Sequence, residues 1–188
     1  MMFRKMLTIA ITVMAICCFA MSAAAATAPI ITYTASGTFS GSPSTGADTL
    51  KLSGEPFTVT IAVSAATVPY KTGPGYAAYN KLKLTGTVHS GLIGSTPVPI
   101  SSGEATIIQG ITPNVSDTFI MEAPIKVVGI SLVIKAMVTM PLGTITKPLL
   151  HPFSAVTLTP ANATVTYSNS SDSTTLGIQT GTLTATIP

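Results

Sequence analysis

Residues 123–142 read Ala-Pro-Ile-Lys-Val-Val-Gly-Ile-Ser-Leu-Val-Ile-Lys-Ala-Met-Val-Thr-Met-Pro-Leu. This is the most apolar stretch beyond the N-terminal segment, and its assignment decides the fold. As a membrane helix it would carry Lys126 and Lys135 into hydrocarbon, at about 2.5–3.5 kcal/mol for a lysine near the centre. As a strand, it places Leu132, Ile134, Ala136, Val138 and Met140 on one inner face and Ser131, Lys135 and Thr139 on the other. The β-branched crowd agrees with the strand, so the stretch reads as β.

The same period-two alternation recurs along the chain. Ile31, Tyr33, Ala35 and Phe39 alternate with Thr32, Thr34, Ser36 and Thr38. Phe57, Val59, Ile61 and Val63 alternate with Thr58, Thr60, Ala62 and Ser64. Leu82, Leu84 and Val88 oppose Lys81, Lys83, Thr85, Thr87 and His89, and Leu183, Ala185 and Ile187 oppose Thr182, Thr184 and Thr186. Each register buries an aliphatic row and wets a row of hydroxyls or lysines, the pattern of an antiparallel sheet with one solvated face. Turn signals at 41–46, 72–75, 91–99, 113–114, 141–143 and 168–173 divide the chain into about nine to eleven short strands. The expected fold is an all-β antiparallel sandwich, jelly-roll or Ig-like.

The N-terminus has a different character. Arg4 and Lys5 precede an apolar run from Met6 to Ala20, followed by small residues to Ala28. That order marks a secretory signal peptide, expected over residues 1–26 with cleavage near Ala26. Residues 27–188 then form a single domain. Both cysteines, Cys17 and Cys18, fall in the removed segment, so disulfides and thiolate metal sites are not expected in the mature chain. Removal also leaves seven lysines against six acids, a net charge of +1 with no arginine. So weak a field argues against nucleic acid as a partner. Charged residues make up 8% of the chain against an average of about 25%, so solubility falls to Ser and Thr hydroxyls.

Residues that could carry chemistry are few. His89 and His151 are the two histidines, and neither lies in a nucleophile elbow or a zinc-ligand motif. Glu104, Asp117 and Glu122 could pair for glycoside hydrolysis if their strands neighbour one another, but edge-protecting surface charge explains them more simply. The turn 168–173 is rich in oxygen yet holds one carboxylate, Asp172, where tight calcium sites assemble several. Asn114, Asn162 and Asn169 begin glycosylation sequons. Three of the five tyrosines, Tyr70, Tyr76 and Tyr79, cluster around Gly73, Pro74 and Gly75. Their amphipathic rings suit stacking on sugar or docking on a partner. Thr-x-Thr pairs recur but are unevenly spaced, so they support neither a repeat solenoid nor a regular ice-binding ladder.

The segments Leu52–Val63 and Ser173–Ile187 resemble exported bacterial Thr-rich β-sandwich proteins, some of which carry a C-terminal sorting helix with a Pro-Glu-Pro motif. This chain departs from that pattern, running as a strand to Pro188. The resemblance implies bacterial export and a sandwich, and no activity. The expected function is therefore that of a non-enzymatic exported protein with a structural or binding role, periplasmic, secreted or at the cell surface. Its expected partners are a polysaccharide, a cell-surface protein or its own copies through strand edges, with no cofactor and no membrane span after signal cleavage. A carbohydrate-binding module using Tyr70, Tyr76 and Tyr79, and a small secreted hydrolase, are the alternatives.

Overall fold

The computed structural model describes residues 28–64, 66–145, 155–168 and 173–187. The expected signal peptide, His151, Asn169 and Asp172 lie outside the described residues. Ten strands follow one another: β1 (Ile30–Phe39), β2 (Pro56–Ser64), β3 (Lys71–Gly73), β4 (Tyr76–Val88), β5 (Val98–Gly110), β6 (Asp117–Val127), β7 (Ile130–Met140), β8 (Val156–Leu158), β9 (Ala163–Ser168) and β10 (Ser173–Thr186).

The expected sandwich is overturned. Eight strands pair antiparallel in the circuit β1-β2-β4-β5-β6-β7-β9-β10, and β10 pairs back to β1. The first and last strands meet from Thr32 opposite Thr186 to Phe39 opposite Ile178, which closes a barrel and leaves the circuit without a free edge. The two remaining strands lie outside it, β3 beside β4 and β8 beside β10. Alternation could not distinguish the two folds, since a sandwich and a small barrel both bury one face of every strand. The distinction comes from how strongly the sheet coils. Gly37 and Gly181 face each other across β1 and β10, and a Cβ on Gly37 would strike the Thr180 carbonyl oxygen. The β4–β5 register slips between Tyr79 and Leu82 and again between Leu84 and Gly86, irregularities that bend a strand and sharpen its twist.

Inward alternation is as expected along β1, β2, β7 and the Leu82–Val88 part of β4, whose inner rows form part of one continuous core. Eight strands leave an interior that side chains can just fill. Phe39 stacks at a tilt on Phe57, with ring centres 5.0 Å apart, and Tyr33 meets Phe119 edge-on at 5.1 Å. Ile187, expected on the inner row, lies beyond the end of β10 and is exposed.

The stretch 123–142 is not one strand but most of a hairpin, since β6 and β7 pair from Asp117–Met140 to Val127–Ile130. Val128 and Gly129 make the two-residue turn, both with positive φ (49° and 82°). Such turns favour Asn-Gly, and a β-branched residue in the left-handed region is strained by about 1–2 kcal/mol. Val128 is also 67% exposed, so nothing hydrophobic is lost by replacing it. Val128→Asn should raise stability by about 1 kcal/mol, read as a higher urea midpoint with an unchanged slope; an unchanged or lower midpoint would contradict this turn geometry.

Candidate functional site

Three places can host function in a barrel: the interior, the two ends and the outer wall. The interior is packed. Its void is about 40 Å³, lined by apolar groups that include Ala35, Ala123, Ala136 and Ala163. Ligand pockets run to roughly 300–1,000 Å³, so this gap is a packing defect left by small side chains.

Both ends are stoppered, each by a loop held through a carboxylate. At the first end, here the loop pole, the β1–β2 connection folds inward and buries Leu50 and Leu52. Asp48 holds it there. One carboxylate oxygen accepts the Leu52 N–H at 3.0 Å and the Tyr167 hydroxyl at 2.9 Å, and the other accepts the Ser53 N–H at 2.8 Å. The buried Ser90 hydroxyl donates to the Leu50 carbonyl at 2.6 Å, tying in the β4–β5 loop. Burial works against ionising Asp48, but the hydrogen bonds from Ser53, Leu52 and Tyr167 outweigh it and hold the carboxyl below its ordinary pKa. Burial and the adjacent Asp48 push the Tyr167 phenol above its ordinary value.

At the other end, the terminal pole, Ile145 is the buried stopper. Its N–H donates to Asp117 at 2.7 Å and its carbonyl accepts from the Gln109 side-chain amide at 3.0 Å. The second Asp117 oxygen accepts the Gly110 N–H at 2.7 Å. Asp117 is thus fully buried with both oxygens occupied by backbone donors, which suits a clamp. Tyr33 and Tyr79 lie inside the same half of the barrel, where burial raises both phenol pKa values and each Tyr79 charge would raise that of Tyr33 further.

The tyrosine cluster is divided by the barrel wall. Tyr70 is 57% exposed, Tyr76 is half-buried with its ring beside Gly73, and Tyr79 is 5% exposed in the core. The alternation of β4 accounts for this, because Tyr79 belongs to the inward row and Tyr70 precedes β3. Sequence proximity alone had grouped them.

Among the acids, Glu104 and Glu122 do face each other directly across β5 and β6. Lys83 stands opposite Glu104, and Lys135 opposite Glu122, giving an exposed charge ladder across four strands. The pair lies on open wall, and Asp117 points inward away from it. Among the described residues no three His, Cys, Asp or Glu side chains gather as metal ligands. Asn114 is exposed, whereas the Asn162 amide is committed to its own turn through the Thr159 N–H and the Thr157 carbonyl.

The outer wall carries an arrangement that the chain order hides. Thr184, Thr34, Thr60 and Thr85 line up across β10, β1, β2 and β4. Directly beside them runs Thr157, Thr182, Ser36, Thr58 and Thr87, which extends onto β8. Thr38 and Thr180 bridge their hydroxyls at 3.0 Å. Thr-x-Thr pairs scattered along the chain therefore converge into rows of neutral donors and acceptors, free of charge, on one side of the barrel.

Two outcomes test the clamps. Asp117→Asn sets an amide N–H₂ against a backbone donor and should cost about 2–4 kcal/mol, lowering the thermal midpoint at neutral pH; a loss below about 0.5 kcal/mol would remove the clamp role. Because the folded-state pKa of Asp48 lies below its unfolded value of about 3.9, its contribution is complete above that value and is lost as pH falls through the folded pKa. Asp48→Asn should therefore be less stable than wild type at pH ~7 and show a flatter stability profile below pH ~4, measured by urea titration; parallel profiles would refute it.

In comparisons with known proteins, the chain matches no family model, no curated protein and no solved structure.

Proposed function

We propose that this protein is an exported, non-enzymatic β-barrel that works outside the cytoplasm through its exterior, as a structural or binding element. The observation that carries the reading is the filled and doubly stoppered interior. With roughly 40 Å³ of apolar void and loops held in both mouths by Asp48 and Asp117, the working surface is the outside. There the neutral hydroxyl rows of β10, β1, β2 and β4 offer many weak hydrogen-bonding positions and no field to attract an ionic substrate. The basic start, apolar run and small residues of the N-terminus support export.

The inside-apolar, outside-hydroxylated wall is the reverse of a membrane-spanning barrel, which faces lipid with an apolar band and encloses a polar lumen. A polysaccharide reading keeps exposed Tyr70 and half-exposed Tyr76, while Tyr79 lies in the core. The hydroxyl rows are the better surface for a neutral, polyhydroxylated polymer.

Cell fractionation with N-terminal sequencing should find the protein outside the cytoplasm and starting near Thr27. Native mass spectrometry of that material should show the bare chain mass. Cytoplasmic retention, or a stoichiometric lipid carried in the interior, would overturn the proposal.

A further inference from the structure

Among the described residues, six large apolar side chains are exposed at the terminal pole, and they come from five separate segments. Ile30 begins β1, Val68 and Tyr70 lie between β2 and β3, Ile111 follows β5, Leu142 follows β7 and Ile187 follows β10. These segments are locally joined: the Ile111 N–H donates to the Gly75 carbonyl at 2.7 Å and the Tyr70 N–H to Ala78 at 3.0 Å. A Cβ on Gly110 would lie 2.9 Å from a Leu142 methyl. Val68, at 78%, is the most exposed large apolar side chain among the described residues. Such a concentration on one surface marks an interaction site.

Its charge is one-sided. Lys71 is exposed beside Tyr70. Of the acids in the described residues, Asp48 and Glu55 belong to the opposite pole, Glu104 and Glu122 lie in mid-strand, and Asp117 is buried. A rim of aliphatic side chains with a tyrosine and a lysine, and no exposed acidic side chain among the described residues, has the chemistry of a surface that rests in an anionic lipid interface. There aliphatic groups enter the acyl boundary, the Tyr ring sits at headgroup level and Lys meets phosphate.

The chain's own layout points the same way. The apolar run Met6–Ala20, with Arg4 and Lys5 before it, leads into β1 at this pole. Nine residues separate its end from Ile30, a reach of at most about 30 Å. A bilayer holding that segment therefore lies on the side of the exposed rim.

We propose that the terminal pole is a lipid-docking surface, which seats the barrel end-on against an anionic bilayer with Val68, Tyr70 and Ile111 in the interface. This rests on the reading of the barrel as a module that works through its exterior, and names the partner of one end. The rim keeps its own chemistry in the cleaved chain, and the chain layout applies while the N-terminal segment is still held in the bilayer.

The chain contains no tryptophan, so single-Trp variants report locally. Val68→Trp at this pole and Val128→Trp at the other are mixed, as the exported protein, with phosphatidylglycerol vesicles carrying brominated acyl chains. Val68→Trp should shift to the blue and be quenched, while Val128→Trp does neither. Val68→Ser/Tyr70→Ser/Ile111→Ser, in the exported protein, should reduce vesicle partitioning at least about tenfold. Val128→Ser/Ile130→Ser/Val133→Ser should leave it within about twofold, with both variants keeping the wild-type β circular-dichroism spectrum. Equal quenching at the two poles, no vesicle response, or a blue shift of Val68→Trp that follows protein concentration without lipid would each overturn the proposal, the last by assigning the rim to a second copy. An interior lipid found by mass spectrometry would instead defeat the exterior-module reading, so the two failures are separable.

Discussion

The pairing of β1 with β10 is the constraint on which the rest depends. It joins the two ends of a sheet made from consecutive antiparallel neighbours and so removes the unpaired edges that a sandwich would have to protect. Closure at eight strands fixes the diameter, and the diameter decides that the lumen is filled by side chains. It also requires two backbones to approach where Gly37 faces Gly181, a place where a Cβ meets the neighbouring strand. Because the first and last strands are neighbours running in opposite directions, Ile30 and Ile187 come to one pole.

A closed barrel with an apolar lumen still has two mouths through which water could reach the core. The chain closes each with a loop and holds that loop by a carboxylate that accepts backbone N–H groups. Two of its few acids are therefore consumed as internal acceptors, which are stronger than neutral ones because the charge is carried on the acceptor. Glu104 and Glu122 are left to a ladder with Lys83 and Lys135 on the open wall. With charge so scarce, the wall of β10, β1, β2 and β4 is hydroxylic, while exposed apolar side chains gather at the terminal pole and, in a smaller group with Val128 and Ile130, at the β6–β7 turn.

The strand content and the inward rows of β1, β2, β4 and β7 were readable from alternation, since the side-chain period of a strand is two wherever one face is buried. The hairpin turn at Val128-Gly129 was not, because a valine stands where turn chemistry calls for Asn or Gly. The stoppers were invisible for a different reason. Leu50, Leu52 and Ile145 lie outside any periodic run, and Asp48 and Asp117 act on partners that only folding brings near. Tyr70, Tyr76 and Tyr79 were close in the chain but are separated by the wall, because Tyr79 falls on the inward row of β4 whereas Tyr70 precedes β3 on the outside.

Composition and period-two patterning alone were enough to establish an all-β chain with an oily inside, a nearly uncharged hydroxyl outside and an N-terminal segment of different character. Those properties depend on each residue's own chemistry and on neighbours two positions away. Whether the sheet closes, which strands become neighbours, that scattered threonines align into rows and that distant apolar loops gather at one pole were decided only by the three-dimensional pairing. Register between strands far apart in the chain follows from coil, bulge and close backbone approach, and these are properties of the assembled sheet that no single strand carries.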